Sequence, residues 1–222
     1  IRLFGIKDCL GNINLLEQIN YEFWLSEIPK RGDLIISEIL ADAFPVRRLP
    51  DTEYVEIYNK SDKFLFLGST RICRDNNCAE LPDFYLEPNS YAVLSDYFSA
   101  SKFDSNVLVI PVINFPDLLS GGASIYLRNQ NGVLLDKVVY HSSWYQDAFK
   151  KEGGYSLERL SIDNFCAKPF VESMDFMGGT PGRENSVSEN SSNDFSREDP
   201  VIAYLMNSRL AVLELNYPCY EL

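Results

Sequence analysis

The chain has 222 residues, with 32 acidic and 20 basic side chains and a formal net charge of -12, a balance that repels nucleic-acid phosphates and anionic lipid. The best basic patch, Lys30, Arg31, Arg47 and Arg48, is too small to invert that balance, so no nucleic-acid partner is expected. A hydrophobic fraction of 45% and an aromatic fraction of 13% belong to a folded protein, and Tyr and Phe far outnumber Met and Trp, which favours strands over helices.

Residues 1–29 read as an apolar strand from Ile1 to Ile6, a turn from Asp8 to Asn12 and a second run ending at Tyr21 to Leu25. The next stretch, Gly32 to Asn59, holds two strand-like runs, Leu34 to Leu40 and Glu53 to Tyr58, separated by a loop containing Pro and Arg. Each run carries a carboxylate among apolar neighbours, Glu38 and Glu56. Two acids in adjacent strands can form a metal or acid/base pair; the plainer reading is structural, each answering an arginine or a loop amide. Arg159 is the expected partner, because an acid on a core-flanking strand must recover the hydration it loses on burial.

Lys63 to Cys73 is apolar around Gly68, and Cys73 and Cys78 bracket a polar run that reads as a hairpin tip able to close a disulfide. The turn before Tyr91 to Leu94, a single helical turn near Asp96 to Phe98, and Val107 to Val112 follow. Ile125 to Val133 to Tyr140, turning through Asn129 to Gly132, is the clearest hairpin. A Lys-rich loop leads to the strand Tyr155 to Leu160, and from Asn164 the chain reads as loop. Strands at this spacing without a long amphipathic helix predict an all-β sandwich. Ser186 to Ser196 is a polar low-complexity stretch, and apolar character returns in the last residues.

Five cysteines, Cys9, Cys73, Cys78, Cys166 and Cys219, lack the paired spacing of a zinc site, and a Cys73–Cys78 bridge points to an oxidising compartment. No apolar run approaches the roughly 20 residues of a membrane span, and an initial Ile in place of Met suggests an excised or processed piece. His141 is the only histidine, so a Ser-His-Asp triad would have to use it; Ser142 and Ser143 adjoin it without a nucleophile elbow, and it is read as a strand-end residue. Gly121, Gly122 and Gly153, Gly154 read as turns, not phosphate loops. Asp42, Asp51 and Glu53 are calcium candidates without EF-hand spacing. Trp144 and Tyr145 are weighed as an exposed interaction pair against a plug at one end of the sandwich, the plug being preferred. Asn59-Lys60-Ser61 and Asn190-Ser191-Ser192 fit the glycosylation pattern.

An ordered set of motifs resembles the lamin tail domain, in the form found in large secreted or surface proteins of the Bacteroides group. It comprises IISEI (35–39), EYVEIYN (53–59), Leu81-Pro82, LEPNSYAVL (86–94), the hairpin at Asn131 and Gly132, Trp144-Tyr145, GYSLERL (154–160) and GGTPGRENS (178–186). The resemblance implies an immunoglobulin-like β-sandwich over 30–187, used in eukaryotic relatives for protein or chromatin contacts, and it brings no catalytic residues, cofactor or metal. The tails are similar to pieces of bacterial immunoglobulin-like repeats: 1–29 the last strands of one, 199–222 the first strands of another, with 188–198 as linker. The expectation is a small second β unit made by pairing of the tails, within one chain or by a domain-swapped dimer, with Cys9 and Cys219 as a second bridge and Cys166 a free thiol.

These readings make the chain a non-enzymatic extracellular or cell-surface module, outer membrane-associated or periplasmic, for adhesion, protein or glycan contact, or spacing. The alternative is a substrate-binding accessory domain of a secreted nuclease or esterase.

Overall fold

The computed structural model describes residues 2–3, 7, 9–11, 19–20, 24–162 and 170–188. Two strands near the start, β1 (Arg2–Leu3) and β2 (Ile19–Asn20), pair antiparallel with each other. Next come β3 (Leu34–Leu40), β4 (Tyr54–Asn59), β5 (Leu65–Phe66), β6 (Arg71–Arg74), β7 (Asn77–Glu80), β8 (Tyr85–Leu86) and β9 (Tyr91–Asp96). A 3-10 helix, Tyr97–Lys102, leads to β10 (Val109–Val112), then β11 (Gly122–Arg128), β12 (Leu134–His141), the short helix α1 (Ala148–Lys151), β13 (Leu157–Arg159) and β14 (Phe170–Glu172). Among the described residues no helix is long and apolar enough to cross a membrane.

The fold is all-β. Six strands form one mixed sheet in the order β10-β9-β4-β3-β13-β14, four form an antiparallel sheet β12-β11-β6-β7, and β5 pairs with β8. Both larger sheets contribute to one apolar cluster, with Ile36, Ile39, Val55 and Ile57 from the first and Ile72, Ile125, Leu127 and Val138 from the second. The parallel pair β9–β10 needs a crossover of roughly a dozen residues, and the 3-10 helix supplies it.

All seven residues of β3 are buried, so this central strand lacks the inside–outside alternation of a half-solvated sheet. Its inner face meets the apolar cluster. Its outer face meets a smaller cluster of Leu40, Ala43, Leu49, Tyr54, Val93 and Phe103, and beyond it the segment 178–187. The β6–β7 hairpin turns through Asp75 and Asn76, with Asp75 at a φ of 51° that an Asp tolerates better than most residues. Cys73 and Cys78 stand opposite each other there and form a disulfide with a Cα separation of 4.0 Å.

Several sequence expectations change. The stretch after Asn164 is not all loop: β14 pairs antiparallel with β13, Arg159 opposite Phe170, and closes that edge of the sheet. Trp24 and Leu25 are not part of a strand and are 65% and 91% exposed; Trp24 lies against the Phe64 ring, Glu27 bridges to Leu65, and the Pro29 carbonyl accepts from the Asn129 amide. Asn59 is fully buried and its amide donates to the carbonyls of Lys63, Leu86 and Glu87, so it is no glycan acceptor. Cys9 is an exposed free thiol. Cys166, Cys219, Asn190 and the tail 199–222 lie outside the described residues, and with them the tail-to-tail pairing and the second bridge.

Candidate functional site

Three glutamates stand in a row across three adjacent strands. Glu56 on β4 is the register partner of Glu38 on β3, and Glu38 is the partner of Glu158 on β13. Residues directly opposite in a sheet share a face. All three carboxyls are fully buried. A row of buried acids is costly unless each carboxyl is hydrogen-bonded.

The donors come from two sheet hydroxyls, those of Ser37 and Tyr54, and from the Gly-Thr-Pro-Gly segment and the residues after it. Glu38 accepts from the Tyr54 hydroxyl at 2.6 Å and from the Thr180 amide at 3.0 Å. Glu56 accepts from the Ser37 hydroxyl at 2.7 Å and the Gly182 amide at 2.5 Å. Glu158 accepts from the Ser186 hydroxyl at 2.7 Å and the Val187 amide at 3.2 Å. Asn185 completes the fastening by donating to the carbonyls of Ser37 and Arg159, each at 2.9 Å. Those carbonyls are open because β3 bulges between Ile36 and Glu38 and its ladder with β13 holds only two residue pairs. The segment 178–187 is therefore a strap laid across the outer face of the sheet and tied to it by three acids and one amide.

Gly179 explains why the strap lies so close. A Cβ there would collide with the Glu38 carboxylate, the Ser156 hydroxyl and the Tyr54 hydroxyl. Only glycine fits.

Burial and mutual repulsion decide how readily these carboxyls ionise. The Thr180 hydroxyl lies 3.1 Å from Glu38 Oε2, 3.2 Å from Glu158 Oε1 and 3.4 Å from Asn185 Oδ1, yet it has one hydrogen to give. That hydrogen is given to one of these acceptors or shared between them. Burial, and then the charge of Glu158, push the Glu38 carboxyl up to about 7; burial and the charge of Glu38 push Glu56 upward as well. Carboxyls raised this far can serve as general acids, but these are sealed from solvent and their oxygens are spent on the chain's own donors.

The expected partnership of Glu38 or Glu56 with Arg159 is not formed. Arg159 pairs with Asp136 of β12 at 2.6 Å and donates through Nε to the Ile36 carbonyl. Strand alternation is the reason: Glu158 takes the outer face beside Glu38, so Arg159 must point inward, toward the second sheet. Asp136 also accepts from the Ile36 amide at 2.8 Å, a donor freed by the β3 bulge. Of the two structural roles considered for the acids, answering a loop amide is the one observed.

The other candidates resolve individually. The His141 ring accepts from the Ser143 amide at 3.0 Å and lies 2.8 Å from the Ser143 hydroxyl, capping the turn after β12. Trp144 is half-buried and stacks on Phe170, and Tyr145 donates to the Tyr155 carbonyl, so this pair is packing and not an exposed surface. Asp51 pairs with Lys102 at 2.8 Å, while Glu53 accepts from the Leu118 amide and Asp42 from the Phe44 amide. Among the described residues no three His, Cys, Asp or Glu side chains form a metal-holding group. Gly153 packs against the Phe44 carbonyl, as a turn residue would.

Sequence reasoning passed over Glu158, Thr180, Asn185 and Asp136. Two of them carried a usable signal. Glu158 sits between Leu157 and Arg159, at the parity that faces away from the core, and Asp136 shares parity with the inward Val138 and Tyr140. No family model and no curated protein sequence matches the chain.

Proposed function

We propose that the chain is a non-enzymatic module of a larger extracellular or cell-surface protein: a lamin-tail-like, immunoglobulin-like sandwich that makes protein contacts and spaces its neighbours. The observation that carries this reading is the use made of the buried acids. The side chains best suited to proton chemistry hold the strap in place and leave no oxygen facing solvent. The disulfide on the exposed β6–β7 hairpin suits an oxidising compartment, and with it a secreted or surface location.

Surface protease treatment of the producing cells, followed by thiol mapping of the released protein, tests the reading. The module should be cleaved from intact cells with Cys73 and Cys78 oxidised. A protease-resistant cytoplasmic protein with both thiols reduced overturns the location. Turnover of a phosphodiester or ester that survives repurification and is lost in His141→Ala overturns the non-enzymatic assignment.

A further inference from the structure

Residues 178–187 belong to neither apolar cluster of the described residues, so the strap is held down by polar ties and not by hydrophobic burial. Its first half hangs on two acids, with the Thr180 amide and hydroxyl on Glu38 and the Gly182 amide on Glu56. Its second half has separate ties: Asn185 donates to two sheet carbonyls, and Ser186 and Val187 donate to Glu158. Gly178 and Gly182 flank the first half with φ of 91° and 84°, a region glycine enters and leaves at little cost. The first half can therefore move while the second stays fastened.

The charge on Glu38 and Glu56 decides whether it does. The donors to these two carboxyls are hydroxyls and amides, with no Lys or Arg among them. Around the pair stand Glu158 of β13, the phenols of Tyr54 on β4, Tyr91 on β9 and Tyr145 after β12, and, on the strap, Glu184 and Arg183. Burial pushes all three phenols upward, so they stay neutral, and Arg183 is taken by Asp175 at 2.6 Å. No cation in this set compensates two carboxylates buried side by side.

Like charges in one dry site disfavour ionisation, and a shut strap keeps the site dry. Opening admits water and removes that penalty. The shut state therefore binds protons more tightly than the open state, and the balance moves toward opening as pH rises. The upward shift of Glu38, to about 7, puts this window just below neutral, and Glu56, also raised, adds to it in the same direction.

We propose that the strap is a pH-operated flap: its first half lies on the sheet in mildly acidic surroundings and lifts away as pH climbs to neutral and beyond, baring Glu38 and Glu56 on the outer face while the fold beneath stays intact. The module then presents two different surfaces on the two sides of neutrality.

The test is amide hydrogen exchange on the full chain, read by NMR from about pH 5 to about pH 8 and expressed as protection relative to the intrinsic rate at each pH. Protection of the Thr180 and Gly182 amides should fall by about tenfold or more across this range, while the Val187 amide and those of the β11–β12 pair keep theirs. The carboxyl carbon shifts of Glu38 and Glu56, followed in the same unsubstituted chain, should titrate over the pH interval in which that protection is lost. Glu38→Gln, which stays neutral, should flatten the response of Thr180. Constant protection of Thr180 and Gly182 overturns the flap, as does an undiminished pH response in Glu38→Gln. Loss in step with the β11–β12 amides overturns it too, because that is weakening of the whole fold and not a local opening.

Discussion

Glu38 and Glu158 face each other across β3 and β13, both fully buried, and both within hydrogen-bond reach of the one hydroxyl of Thr180. Two like-charged side chains directly opposite in a sheet destabilise it. The upward shift of the Glu38 carboxyl and the amides of the strap offset that repulsion, so the strap is part of what keeps the sheet's central strands together.

Stability should fall as pH rises. The Glu38 carboxyl stands at about 7 in the folded chain against an ordinary 4.5, so between those values the folded state keeps a proton that the unfolded state has released. Such a group stabilises fully below its unfolded value and loses that contribution as pH climbs through the folded one; Glu56, also raised, acts in the same direction. Urea midpoints should decrease from about pH 5 to about pH 8. Glu38→Gln, which mimics a protonated carboxyl, should flatten the curve. A midpoint that increases across this range contradicts the assignment.

The inward pair behaves differently. Arg159 and Asp136 are a buried ion pair that links the two sheets, with side chains 2% and 6% exposed. Arg159→Ala leaves a buried carboxylate uncompensated and should cost about 3–5 kcal/mol in urea unfolding. A melting curve within a degree or two of the parent would show that the pair carries little.

Much of this architecture is legible from residue type and parity, and the rest is not, for identifiable reasons. The β6–β7 and β11–β12 hairpins announce themselves because their turn residues are local. Glu38 and Glu56 stand out as acids in apolar strands. Their partners do not, because register between strands distant in sequence decides which face meets which. One residue of parity separates Glu158, beside Glu38, from Arg159, which faces the other sheet. The strand β14 was hidden because a three-residue edge strand adds no periodicity; its place is set by pairing with β13.

Glycine at position 179 is required by proximity alone. Gly179→Ala should destabilise the chain by roughly 1–3 kcal/mol, the usual cost of overpacking a tight site. Gly121→Ala, where a Cβ meets nothing within 4 Å, is the control and should leave the urea midpoint nearly unchanged. Equal effects of the two substitutions would mean that the strap yields easily.

Thiol chemistry separates the described cysteines. In protein purified without reductant, Cys9 should react with iodoacetamide under native conditions, while Cys73 and Cys78 should appear as one cross-linked peptide pair that reacts only after reduction. Labelling of Cys73 without reduction would contradict the bridge.

Amide hydrogen exchange at Thr180 and Gly182 tests most directly whether the buried acids exist to hold the strap. Both amides should be strongly protected in the parent chain. In Glu56→Ala the Gly182 amide loses its acceptor, and its exchange should accelerate by about a hundredfold or more, while amides of the β11–β12 pair keep their protection. If Gly182 remains as protected in Glu56→Ala as in the parent, the strap is held by something other than the carboxylate row.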